Sequence, residues 1–173
     1  MESPFFDTHQ QIYSMPIFII GLTQRVGTNF LHGMLSQHSS VTTPATLHED
    51  FLIREISALQ EYIDRVSARW NPKWGAKERT PELRQDLVNA VLAFALQDAK
   101  ESDKRLALKT PSIFGIEYVP SMIPDGKFVV LVRNGPDVIE SGMRSFGWRF
   151  EQACKIYRDA AQHLIKQMDI HKS

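Results

Sequence analysis

The chain has 173 residues, with twenty Lys and Arg against twenty Asp and Glu, 43% hydrophobic and 23% charged residues. That length gives one domain able to bury a core of its own, and the even charge excludes a global pull toward nucleic acid or anionic membrane while leaving room for a local basic pocket. Cys154 is the sole cysteine, which excludes an intrachain disulfide and a cysteine-based metal site and fits a cytoplasmic home.

Residues 1–15 read as an N-terminal arm without the basic stretch and long apolar core of a secretory leader. Met15 to Ile20 reads as a short buried strand stopped by Gly21, too short an apolar run to cross a bilayer. Gly27 to Gln37 reads as a helix with Phe30, Leu31, Met34 and Leu35 on one side, and "SSVTTPAT" as loop. From His48 to Trp70, apolar residues at Leu52, Ile56, Leu59, Ile63, Val66 and Trp70 predict a long amphipathic helix. "NPKWGAKERTP" breaks it, and Thr80 with Pro81 opens the next helix as N-cap and first-turn residue, running to about Lys100. "RLALK" is a second strand, ending at Lys109. Ser112 to Met122 is a short helix with a bend at Pro120. "KFVVLVR" is a third strand, apolar throughout and so expected to be buried on both faces. Pro136 opens another helix, and Phe150 to about Ile170 is the last. Strands alternating with helices predict an α/β domain with a parallel sheet and helices on both faces. Functional residues then belong just past the strand ends, at Gly21, Lys109 and Arg133.

Those points carry unusual polar residues. In "FIIGLTQRVGTNFL" a glycine turn feeds a helix, which aims backbone N–H groups and a partial positive charge outward. Arg25 adds a full charge, and Thr28 and Asn29 add hydrogen-bond donors. The plainer alternative is a strand–helix turn whose glycines serve geometry alone. An ATP or GTP loop fits poorly. Five residues instead of four separate Gly21 from Gly27, no Lys follows, and "FVVLVRN" ends in Arg and Asn where a Mg²⁺-binding Asp belongs. In "LVRNGPDVIESGMRS", Arg133 at a strand end and Ser141 in the following helix suit a second phosphate, with Asp137 near the helix start. The alternative is an Arg paired with a structural carboxylate and a small packing Ser.

Together the two stretches resemble the cofactor signatures of the sulfotransferase family. There, a strand–loop–helix with Lys or Arg followed by Ser-Gly-Thr holds the 5′-phosphosulfate of 3′-phosphoadenosine 5′-phosphosulfate; "RVGTN", Arg25 to Asn29, occupies that place. A later strand ends in Arg-Asp/Asn-Pro-x-Asp-x-x-x-Ser, whose Arg and Ser hold the 3′-phosphate; "RNGPDVIES" matches at Arg133, Asn134, Asp137 and Ser141. The resemblance spans roughly residues 16–148. It implies a three-layer P-loop nucleoside-kinase-like α/β fold and sulfuryl transfer without a metal, since a sulfuryl group carries less charge than a phosphoryl group.

By the same resemblance, Arg25, Val26, Gly27, Thr28, Asn29, Phe30, Arg133 and Ser141 bind the donor. Arg25 and Lys109 stabilise charge on the leaving oxygen, and Glu49, or else His48, takes the acceptor's proton. The match departs in several places. The first loop is one residue longer, Val26 replaces Ser, and Asn29 replaces Thr or Ser. Gly135 stands at the usual Pro, with Pro136 one place on. Pro111 stands where many cytosolic members carry a catalytic His, so the base is sought in "LHED", Leu47 to Asp50. Acidic residues there would in any case favour the start of the expected long helix. The last strand and closing loop usual in the family are missing from the expected element order.

The expected partner is a small soluble hydroxyl or amine acceptor, with neither nucleic acid nor membrane; homodimer formation is left open. The six His show no metal-ligand spacing. Trp70, Trp74 and Trp148 are candidates for an acceptor pocket and equally for core. Two other readings stand: a Mg²⁺-dependent kinase with an atypical loop, and a non-catalytic nucleotide-binding or interaction domain.

Overall fold

The computed structural model describes residues 16–99 and 103–170. The expected arm, residues 1–15, and the proposed first strand residue Met15 lie outside them, as does Lys100. Among the described residues, four parallel strands form one sheet in the order β2-β3-β1-β4, from β1 (Ile17–Gly21), β2 (Val41–Thr42), β3 (Arg105–Thr110) and β4 (Lys127–Leu131). The α-helices among the described residues that connect and flank them are α1 (Thr28–Leu35), α2 (Ile56–Ser67), α3 (Thr80–Gln97), α4 (Val119–Met122), α5 (Gly135–Phe146) and α6 (Phe150–Ile170). This is the expected parallel α/β architecture.

β1 is the middle of the sheet, and its sequence shows why. Phe18, Ile19 and Ile20 are each at most 1% exposed, so both faces of the strand are covered although successive side chains point opposite ways. Phe18 and Ile20 join Ile53, Ile56, Ile63, Val88, Leu92, Leu106 and Leu108 in one apolar cluster, which seats α2 and α3 on the sheet. Burial of each such side chain contributes about 1.5–3 kcal/mol.

β4 differs from its expected burial. It pairs only with β1 and forms a sheet edge among the described strands. Phe128 stacks on Phe18 at 5.0 Å and faces the core, but Val129 is 40% exposed. A run of apolar residues reads as doubly buried; which positions are covered depends on neighbours that the run does not encode.

Other boundaries also moved. α2 begins at Ile56, and residues 48–55 are loop and turns; the apolar spacing continues into that loop because Leu52 and Ile53 pack on the core without being helical. Thr80 is the first residue of α3 and Arg79 its N-cap; the Thr80 hydroxyl instead donates to the Lys77 carbonyl at 2.7 Å. The expected helix over 112–122 is a 3-10 turn at Ile116–Tyr118 followed by the single turn α4, whose first turn takes Pro120. The stretch expected as loop contains β2, a two-residue strand recruited by the edge of β3 and too short to show a period.

Candidate active site

The loop after β1 is built on the core. The Leu22 N–H donates to the Leu131 carbonyl at 2.9 Å, which ties the start of the loop to β4. The chain then folds back so closely that a Cβ on Gly21 would lie 2.8 Å from the Thr23 carbonyl oxygen and 3.0 Å from Thr28 and Val26 methyl groups. Val26 is buried beneath the loop, which accounts for an apolar residue at that motif position. Arg25 (φ 71°) and Gly27 (φ 103°) take left-handed conformations, and Gly27 caps α1. Gly27 supplies no side-chain cap, and no acidic residue lies in the first turn. The first-turn amides of α1 thus point from the helix end without a side-chain acceptor, the arrangement that attracts an anion.

The turn after β4 stands across the same cleft. The Arg25 Nε donates to the Ser141 hydroxyl at 2.9 Å, and Arg133 donates to the Arg25 carbonyl at 3.4 Å, so the two motifs touch. Asp137 sits 3.5 Å from Arg133, and its N–H donates to Asn134, the N-cap of α5. The Arg25 guanidinium lies 5.7 Å from the centre of the Phe146 ring.

The end of β3 supplies the third wall. Lys109 is only 6% exposed, and a buried ammonium needs partners. It donates to the Asn29 side chain and lies 3.6 Å from Glu49 Oε1. Asn29, a departure from the motif, is therefore spent on orienting Lys109. Asp50 ties the Glu49 segment to the strand: its N–H donates to the Lys109 carbonyl at 3.1 Å, and its Oδ1 accepts from the Thr110 hydroxyl at 2.7 Å. At the other end of this segment, Asp98 accepts from the Thr46 and Leu47 N–H groups and from the Thr46 hydroxyl. Those bonds, led by the Thr46 N–H, hold its carboxyl below the usual carboxylate range.

A cleft of about 420 Å³ joins these walls. Arg25, Gly27, Thr28, Asn29, Phe30, Glu49, Arg133 and Ser141 line it. Val26 is buried under the loop and offers only its backbone. Lys109 reaches the lining through Asn29 and Glu49. His48 is exposed and not part of the lining. His32, on α1, has its pKa lowered first by burial and then by the nearby Lys109 charge, against an opposing bond to the Ala107 backbone. Trp74 is 72% exposed, and neither it nor Trp70 nor Trp148 lines the cleft. Sequence reasoning did not pick out Gln24 and Phe146 as lining residues, nor the Asp50–Thr110 strut. Thr110 follows Lys109 directly, and Asp50 follows Glu49; this adjacency was the available signal. Among the described residues, no three His, Cys, Asp or Glu side chains gather to hold a metal, and no helix is long and apolar enough to cross a membrane.

A loop leading into an uncapped helix start, opposite an Arg–Ser pair at neighbouring strand ends of a parallel sheet, is an arrangement suited to anionic groups. The model of the sulfotransferase family matches residues 16–172, nearly the whole chain, and the protein belongs to that family. It is an enzyme of the sulfotransferase type, and its general reaction is sulfuryl transfer. No curated protein matches the chain significantly.

Proposed function

We propose that the protein transfers a sulfuryl group from 3′-phosphoadenosine 5′-phosphosulfate to a hydroxyl or amine of a small acceptor in the cytoplasm. The observation that carries this reading is the contact between the two motifs: Arg25 of the first loop bonds Ser141 of the second, so both line one cleft. The residues fit the donor. The Gly21 cradle has no room for a Cβ, the first turn of α1 is uncapped by side chains, and two Arg and one Ser face the opening.

In this reading the amides of Gly27 to Phe30 hold the 5′-phosphosulfate, and Arg133 with Ser141 holds the 3′-phosphate. The donor supplies an activated sulfuryl group. Glu49 accepts the proton that the acceptor releases as it bonds to sulfur. Its carboxylate lies in the cleft beside Lys109, whereas His48 does not line it. With the donor bound, Arg25, which lines the cleft, would stabilise the negative charge of the departing bisphosphate, and Lys109, behind Asn29 and Glu49, would add its positive charge from beneath, the kind of stabilisation worth about 3 kcal/mol in a transition state. Asp50 and Thr110 keep Glu49 in place.

Calorimetric titration with 3′-phosphoadenosine 5′-phosphate, without Mg²⁺, tests the reading. Expected is micromolar binding that Arg133→Ala weakens ~10–100-fold, the worth of a charged hydrogen-bond pair, and that ATP does not match. Tighter binding of ATP with Mg²⁺ than of the bisphosphate would refute it in favour of a kinase.

A further inference from the structure

The turn from β4 into α5 carries Arg133, yet its own hydrogen bonds are long. Arg133 reaches the Arg25 carbonyl at 3.4 Å and Asp137 at 3.5 Å, and Asn134 accepts from the Asp137 N–H at 3.3 Å. Bonds of this length are weak. One bond at the turn is short. The Tyr157 hydroxyl, from the second turn of α6, donates to the Arg133 carbonyl at 2.9 Å. Tyr157 is half-buried against the core cluster, where a phenol is held by its ring and uses its hydroxyl directionally.

The same ring meets the next backbone unit. A Cβ on Gly135 would lie 3.1 to 3.4 Å from three carbons of the Tyr157 ring. Gly135 does not have a positive φ, so its small size serves close approach and not conformation. This accounts for a departure of the sequence from the family motif. A Pro at 135 would place its Cβ toward the ring; with Pro at 136 the helix keeps its first-turn proline and α6 keeps its contact.

We propose that Tyr157 is a positioning residue for recognition of the 3′-phosphate, acting through the Arg133–Gly135 backbone. The inference rests on the assignment of Arg133 and Ser141 to that phosphate. Its physical content is the planarity of the peptide. With the Arg133 carbonyl held toward α6, that oxygen is kept from facing an anion, and the trans peptide turns the Asn134 N–H the opposite way. The ring fixes where the first turn of α5 begins. α6 thus sets the register of a binding turn on an exposed sheet edge, without touching the ligand.

Tyr157→Phe keeps the ring and removes the bond. Titrated with 3′-phosphoadenosine 5′-phosphate, this variant binds ~5–10-fold more weakly than the wild type, the worth of one hydrogen bond. Adenosine 5′-phosphosulfate, which lacks the 3′-phosphate, binds both proteins equally. Hydrogen exchange at the Asp137 amide is faster in the variant. Equal affinity of both proteins for the bisphosphate, or equal losses for both nucleotides, overturns the proposal while leaving the donor assignment standing. Failure of the wild type to bind the bisphosphate overturns both. A second pair of variants probes the ring: the losses from Gly135→Ala and Tyr157→Leu are expected to be less than additive in the double variant, and strict additivity contradicts the contact.

Discussion

The two turns that face each other across the cleft are held by different forces. The turn after β1 grows from the most buried strand of the sheet, and its shape is enforced by contact: Gly21 has no space for a Cβ, and Val26 and Thr28 are buried. The turn after β4 grows from an exposed edge, and its Arg133 side chain is 46% exposed. It is held chiefly by the Tyr157 hydroxyl bond to the Arg133 carbonyl and the Tyr157 ring against Gly135, with long bonds to Arg25 and Asp137. A core-built turn is rigid at the cost of tolerating no added volume. A turn held by polar ties is sensitive to the loss of single hydrogen bonds, and its replacements should leave the fold intact.

Variants separate the two kinds of turn, and the largest effect is expected between them. Lys109→Met should lower turnover ~100–1,000-fold, the loss typical of a transition-state donor, while donor affinity stays within a few-fold; steady-state kinetics with any productive acceptor would show the split. Arg133→Ala, whose cost in bisphosphate affinity is given above, should leave the urea midpoint corresponding to a change within about 0.5 kcal/mol. Gly21→Ala should behave oppositely, lowering stability by about 1–3 kcal/mol through overpacking against backbone and weakening both nucleotides together. A Gly21→Ala protein of unchanged midpoint would erase the contrast.

Smaller effects concern the wall that carries Glu49. Asp98→Ala should lower turnover a few-fold and leave bisphosphate affinity unchanged, because it frees the segment leading to Glu49 without touching either turn. In stability against pH, His32 gives the smallest signal. Burial, and then the nearby Lys109 charge, hold its folded pKa below the ordinary histidine value, so the unfolded chain binds the proton more readily. The neutral ring's contribution is complete above about pH 6.5 and is lost as pH falls toward the folded value. His32→Gln should flatten the decline of the denaturation midpoint below about pH 6.5; an unchanged slope would assign that decline to other groups.

Both turns were legible as sequence because each combines a strand end, a glycine or proline and a charged residue within a few positions. The parallel sheet was legible from its strands' apolar runs. What was not legible depended on distant partners. β4 resembles a doubly buried strand because apolar composition does not report a missing neighbour. The Glu49 segment resembled a helix start because Leu52, Ile56 and Leu59 satisfy a helical spacing. In the structure α2 begins only at Ile56, so Glu49 and Asp50 are not helix-capping acids, and that plainer role for them falls away. Asn29 stood out as a hydrogen-bonding residue and a departure from a motif, and Gly135 as a departure alone; their partners, Lys109 and Tyr157, lie far along the chain.

The most direct test of the two-turn cleft is a crystal structure with 3′-phosphoadenosine 5′-phosphate bound. The expected density places the 5′-phosphate on the first-turn amides of α1 and the 3′-phosphate between Arg133 and Ser141, with the Tyr157 bond to Arg133 intact. A nucleotide bound with its ends reversed, or with its 3′-phosphate away from Arg133, would contradict the assignment of the two turns.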